Sequence, residues 1–199
     1  MIIAVAGRKG GSSKSSTAVH LAGVLAEHAQ VAALDLDAGN LTLADWAAAG
    51  HVPFTAFTTD TWTEGQHQPW EHVIIDAPAR PTSEQLERLA AWADLVMLPT
   101  PPDAASLRVL ARTLPVLRDL RATFRVLLAR VPAPPSRDGD RAAADLERGR
   151  VPTFTTRVPE LAVMRHAARH QRLAWDVRGE PSGARLHAVF TALGREVTS

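Results

Sequence analysis

The sequence predicts a doubly wound α/β fold, a mostly parallel sheet with helices on both faces. Two observations carry this prediction. Short apolar runs alternate with longer stretches of helical period along most of the chain. Those runs are nearly continuous in Val, Ile, Leu and Ala, as strands buried on both faces of a parallel sheet require. The repeated βα order then selects the doubly wound class.

The elements follow in order. The apolar opening IIAVA (2–6) reads as the first strand, and AVHLAGVLAEHA lies in a helical stretch at 15–29. VAALD (31–35) is the second strand, with a helical pattern at 41–49 after it. HVIID (72–76) precedes a helix at 82–92, and DLVMLP (94–99) one at 103–119. FRVLLAR (124–130) leads through VPAPPSRDGD (131–140) to a helix at 138–149. That Pro/Gly-rich piece reads as a loop, because a helix and a strand, PTFTT (152–156), are expected beyond it. Helices at 159–170 and 182–196 complete the chain. In the last, Leu186, Val189, Phe190 and Leu193 share one face, the stripe of a core helix. One domain over 1–199 is expected.

Composition narrows the function classes. With no cysteine, disulfides and iron–sulfur clusters are excluded and a reducing cytoplasm fits. No apolar run approaches the ~20 residues of a membrane span. The six apolar residues before Gly7 are too few for a signal peptide. The net charge of +1 hides an asymmetry: residues 1–100 carry 5 basic and 11 acidic side chains, and 101–199 carry 17 and 10. Of 22 basic residues only Lys9 and Lys14 are lysines, and both lie in one short segment. Two ammonium groups kept there and nowhere else point to a chemical requirement.

That segment is GRKGGSSKSST (7–17), set between the first strand and the first helix. In such a turn, backbone N–H groups and a helix N-terminus converge on an anion. Gly10 and Gly11 supply the freedom to take positive φ. Lys14 is placed to reach β- and γ-phosphates, and the Ser15 hydroxyl to hold Mg²⁺. A ligand-free Gly/Ser-rich turn is the plain alternative. Ser13 stands where the phosphate-loop pattern has glycine; left-handed dihedrals there would cost about 1 kcal/mol.

KGGSSKS resembles the deviant Walker A motif, K-G-G-x-x-K-[ST], of the ParA/MinD family of P-loop ATPases. The likeness is greatest to small plasmid-type ParA partition proteins without an N-terminal helix-turn-helix, and the motifs span essentially the whole chain. It implies a P-loop NTPase fold, ATP and Mg²⁺ as ligands, and binding by Gly10, Gly11, Ser12, Ser13, Lys14, Ser15 and Ser16. Lys9, by this resemblance, reaches across a homodimer to the partner's phosphates, so that two ATP molecules are sandwiched. In LDLDAGN (34–40) it makes Asp37 the residue that orients attacking water and has Asp35 support the magnesium shell. The family's DPQ reads Asp37-Ala38-Gly39 here. HVIIDAPAR (72–80) resembles Walker B and switch II, with Asp76 on Mg²⁺ and with Ala77 and Ala79 as departures. Adenine contacts are implied at Arg130, Pro132, Val158, Pro159 and Glu160.

The same resemblance implies partners. Arg108, Arg112, Arg118, Arg121 and Arg125, and later Arg165, Arg169, Arg172, Arg178 and Arg185, are candidates for non-specific, salt-sensitive DNA binding. A solvated basic face beside Asp119, Asp176 and Glu180 is the alternative. The implied protein is a cytoplasmic, nucleoid-associated ATPase with slow intrinsic turnover. A ParB-like partner would stimulate it, and its cargo would be a plasmid, a chromosome region or a protein compartment. No membrane partner is expected, because too little chain follows the last helix to add an anchor. A nucleotide-binding module with little hydrolysis, a MinD-like positioning ATPase and a biosynthetic ligase are the other readings.

Overall fold

A computed structural model describes residues 1–37, 39–40, 42–63 and 69–199. Ala38, singled out above as a departure, lies outside the described residues. Six parallel strands form one sheet: β1 (Ile2–Val5), β2 (Val31–Asp35), β3 (Thr55–Thr58), β4 (His72–Asp76), β5 (Leu95–Thr100) and β6 (Phe124–Leu128). Their spatial order is β3-β2-β4-β1-β5-β6. The helices are α1 (Lys14–Leu25), α2 (Thr42–Ala48), α3 (Ser83–Trp92), α4 (Ala104–Asp119), α5 (Asp138–Arg148), α6 (Ala162–His170) and α7 (Ser182–Thr198), with a 3₁₀ turn at Ala174–Asp176 before α7.

Alternation along the strands splits the core in two. Ile3 and Val5 on β1 face a layer built with α1, α2, α6 and α7. Ala4 and Ala6 face the layer that contains Leu86 and Leu89 of α3, Leu110, Leu114 and Leu117 of α4, and Leu146 of α5. Leu186, Phe190 and Leu193 of α7 are 0% exposed, so the apolar stripe on that helix is core. Among the described residues no helix is long and apolar enough to cross a membrane.

Two strand expectations are corrected. Residues 152–156 are not a strand: Thr153 makes one isolated bridge to Val126. Beyond it, the amides of Thr155 and Thr156 donate to the Glu196 carboxylate of α7 at 2.7 and 3.0 Å instead of to a strand. Arg125 seals this junction, pairing with Glu196 at 2.8 Å and lying 4.3 Å above the Phe154 ring. Conversely, β3 escaped the sequence reading. It is a four-residue edge strand, half-buried at best, so its Thr-Ala-Phe-Thr carries no apolar run.

The topology makes one crevice. β1 and β4 pair side by side, with Val5 beside Asp76. The helices that follow them, α1 and α3, cover opposite faces. Chain leaving the carboxyl ends of these strands therefore diverges, and such a switch point is where open α/β sheets bind ligands.

Candidate functional site

The segment Gly7–Ser13 fills that crevice between β1 and α1. Gly11 has φ +72° and Ser13 φ +70°. Ser13 stands at the helix N-cap without a side-chain cap bond, so its Cβ takes the strained left-handed conformation with no local compensation. Gly10 is exposed, with open space around it. Ser12 is buried, and Ser15 and Ser16 are half-buried on the first turn of α1.

Lys14 and Lys9 diverge. Lys14 is buried, and its ammonium donates to the Lys9 carbonyl at 3.4 Å. Burial lowers its pKa, against the opposing charges of Asp76 and Asp37. The Lys9 ammonium instead runs to α4, 2.8 Å from the Ser106 hydroxyl and 3.4 Å from the Asp103 carboxylate.

Three aspartates stand at the carboxyl ends of β2 and β4: Asp35 closes β2, Asp37 lies two residues beyond it, and Asp76 closes β4. Asp76, last in β4, is 0% exposed, and both its carboxylate oxygens lack a hydrogen-bond partner among the described residues. Burial pushes its carboxyl up to about 7; the Ser15 hydroxyl beside it opposes the rise without reaching standard hydrogen-bond geometry. Asp35, paired with Asp76 across β2 and β4, is equally buried. Its oxygens are occupied by backbone: Oδ1 accepts from Asp37 N–H at 3.0 Å, and Oδ2 from Leu43 and Ala44 N–H at 2.9 and 3.2 Å. Burial raises its pKa too, and these three amides oppose the rise. As placed, Asp35 shapes the turn that carries Asp37 and starts α2. Asp37 is half-buried and adds negative charge at both Lys14 and Asp76.

A cavity of about 350 Å³ opens beside the loop, lined by Gly11, Ser13 and Ser16 on one side and Arg130, Val158 and Glu160 on another. Arg130 has φ +53° and bridges the two walls: its guanidinium binds Glu160 Oε1 at 2.7 Å and the Gly11 carbonyl at 3.3 Å. Pro159 lies in the same wall. Pro132 does not; it lines a neighbouring groove with Val131 and Ser136. Sequence reading missed the floor, made by Leu161, Met164, Arg165 and Ala168 on and before α6. The available signal was helical spacing directly after Glu160, which turns 161, 164, 165 and 168 to one side. Arg165, grouped above with the candidate DNA arginines, stands at this cavity instead.

The residues fit a magnesium nucleotide. Asp76 is a buried carboxylate with no counter-charge in hydrogen-bond contact, which is costly unless a cation or its hydration shell approaches. Ser12 Oγ and Thr17 Oγ1 are likewise buried without partners. Exposed amides at a helix N-terminus, a buried lysine and an adjoining cavity complete a site for phosphates and a base.

The remaining arginines do not form one surface. Arg108, Arg112 and Arg118 are exposed on α4, whereas Arg169, Arg178 and Arg185 are exposed around α6 and α7, on the other face of the sheet. Arg125 is half-buried in its Glu196 pair and belongs to neither.

Comparison with known proteins bears on the family and the fold. The model of the CobQ/CobB/MinD/ParA nucleotide binding domain matches residues 3–174. Protein ParA of Rhizobium radiobacter is 33% identical over 126 residues, which are 59% of this chain and 56% of that protein. The chain thus spans little more than half of that relative. Maintenance of carboxysome distribution protein A of Gloeobacter kilaueensis is 29% identical over 181 residues, 87% of this chain and 80% of that protein. Among solved structures, apo McdA of Cyanthece superposes with a TM-score of 0.78 at 18% identity, covering 98% of each chain. The cell division ATPase MinD of Pyrococcus furiosus does so at 0.73 and 18%, covering 99% of this chain and 98% of that one. At these identities the structural likeness bears on the fold.

Proposed function

The chain belongs to the CobQ/CobB/MinD/ParA nucleotide-binding domain family, and from that premise we propose that it is an ATPase that dimerises around two Mg²⁺·ATP and binds DNA in that state. The observation that carries the reading is Asp76, a fully buried carboxylate with both oxygens unpartnered, facing Ser15 and Lys14 at the mouth of the phosphate loop.

Within this reading each residue has a task. Gly10, Gly11, Ser12 and Ser13 present backbone N–H groups to the β-phosphate, and Ser15 and Ser16 close the loop at the start of α1. Ser15 and Asp76 would hold Mg²⁺, whose charge would offset that of the phosphates. Lys14 places its ammonium against the β- and γ-phosphates, where charge grows in the transition state. Asp37 holds the attacking water in line, and Asp35 fixes Asp37 by accepting its N–H. Lys9 supplies a second cation to the phosphates of the other copy. Arg130, Val158, Pro159 and Glu160 receive the base, with Met164 and Leu161 beneath it. Turnover is slow without a stimulating, ParB-like partner, since the attacking water is held by a single half-buried carboxylate, that of Asp37.

Two curated relatives bear the names ParA and maintenance of carboxysome distribution protein A. Their names support a positioning role in which the cargo is DNA or a protein compartment. The DNA surface we assign is the exposed arginine group around α6 and α7, on the side where Arg165 of α6 lines the cavity, rather than the group on α4.

Retention on non-specific DNA with ATP, with ADP or without nucleotide, at low and high salt, tests the reading. Binding is expected with ATP only, to weaken steeply with salt, and to be lost in Lys9→Ala. Retention that ignores nucleotide reduces the arginines to a passive basic surface and overturns it.

A further inference from the structure

The first turn of α4 carries a counter-ion for Lys9 that the nucleotide site does not use. Asp103 is the N-cap of α4, its Oδ1 accepting from Ser106 N–H at 2.9 Å. The Ser106 hydroxyl gives its proton to Asp103 Oδ2 at 2.5 Å, so its oxygen accepts from Lys9 Nζ at 2.8 Å. The Lys9 ammonium also lies 3.4 and 3.5 Å from the two Asp103 oxygens. Despite the cost of partial burial, Ser106 and Lys9 together hold the Asp103 carboxyl down to about 2. Ser106 is 3% exposed and therefore a fixed acceptor, whereas the side chains of Lys9 and Asp103 are 37% and 50% exposed. One end of this contact is built into the helix and the other can leave.

We propose that Asp103 and Ser106 form a dock, within the same chain, for the Lys9 ammonium, and that the dock competes with nucleotide phosphates held by a second copy of this chain. The inference rests on the reading of Lys9 given above. One ammonium cannot sit on α4 and on a partner's phosphates at once, so the dock sets how readily the dimer forms. Asp103 is on this account a positioning residue: it acts on nucleotide only through Lys9. An exposed ion pair of this kind holds its lysine by up to about fivefold. Two lysines are released per dimer, so removing the charge lowers the dimer dissociation constant by up to about 25-fold.

Asp103→Asn removes the charge and keeps the helix, because Asn caps as well as Asp. Sedimentation with AMPPNP and Mg²⁺ over a range of protein concentrations measures the dimer constant. We expect Asp103→Asn to dimerise several-fold more tightly than wild type, and the gap to narrow at high salt as the pair is screened. With ADP both should stay monomeric. Lys9→Ala should abolish dimerisation with or without Asp103→Asn. Ser106→Ala, which keeps the Asp103 cap, should shift the constant in the same direction and serves if Asp103→Asn folds poorly. A dimer constant equal to or weaker than wild type in both variants overturns the dock. A wild-type chain that remains monomeric with AMPPNP is a different result: the trans role of Lys9 then fails, and the dock with it.

Discussion

Ser13 marks the point where this phosphate loop works against its own backbone. With φ +70° and no cap bond, it holds a left-handed conformation that costs an L-residue about 1 kcal/mol. Glycine removes the clash and adds some chain entropy to the unfolded state. Ser13→Gly should therefore raise the unfolding free energy by up to about 1 kcal/mol, measured by urea denaturation, and should tighten nucleotide binding by presenting an unstrained N–H. A loss of stability would show that the serine hydroxyl is engaged in a way its geometry does not indicate. The strain was foreseeable at this residue, because a left-handed turn there follows from the loop pattern alone. Asp76 was equally legible, a carboxylate closing an apolar strand. Its unpaired state was not, since that depends on where Ser15, Asp35 and Lys14 come to rest in three dimensions.

Among the elements, α1 is tied to the rest of its layer by a histidine that carries no charge. His20 is 0% exposed, stacked 5.1 Å from Phe190 of α7 and edge-on to Trp46 of α2. Its Nδ1 lies 2.6 Å from the Ser16 carbonyl, and its Nε2 accepts from Ala174 N–H at 3.0 Å, joining α1 to the 3₁₀ turn. Burial lowers its pKa to about 4, so the folded chain prefers neutral His20. A depressed histidine contributes stability that is complete above its unfolded value near 6.5 and is lost as pH falls towards 4. The loss is about 3 kcal/mol at 1.36 kcal/mol per pH unit. Asp76 acts in the opposite sense, its raised carboxyl favouring the fold as pH falls below about 7. The difference between wild type and His20→Gln isolates the histidine, because Gln can accept from Ala174 without charging. Wild type should lose more stability than His20→Gln between pH 7 and pH 4.5. Parallel curves would mean that His20 does not titrate there.

Element type followed the sequence closely wherever an apolar run was long enough to be buried on both faces, as in β4 and β5. It failed at β3 and at 152–156 because edge and rim segments are decided by what flanks them. Glu196, some forty residues further along the chain, takes the amides of Thr155 and Thr156 that a strand would have used.

For the whole molecule, the question is what the basic half of the chain faces. Of the arginines on and around α6 and α7, Arg165 lines the cavity beside the loop, and Arg169, Arg178 and Arg185 are exposed. Those on α4 lie across the sheet. Reversing charge at Arg169 and Arg178 should weaken ATP-dependent DNA retention at least tenfold and flatten its salt slope, as expected when phosphate contacts are removed. The same reversal at Arg108 and Arg112 should change it little. The opposite ranking would transfer the DNA surface to α4.

The sequence by itself determined the fold class and singled out the glycine-rich loop after β1, Lys9, Lys14 and the strand-end aspartates. These are local patterns: runs of buried residues, and loop chemistry that one short stretch contains whole. Only the tertiary structure decided the order β3-β2-β4-β1-β5-β6, which pairs β1 with β4 and sets Asp76 next to Val5. It alone separated the arginines onto two faces, set Pro132 in the groove next to the cavity beside the loop and put α6 beneath that cavity. It alone brought Asp103 to Lys9 across 94 residues of chain. Such pairings are set by which helices share a face of the sheet, and nothing in a local stretch of sequence encodes that.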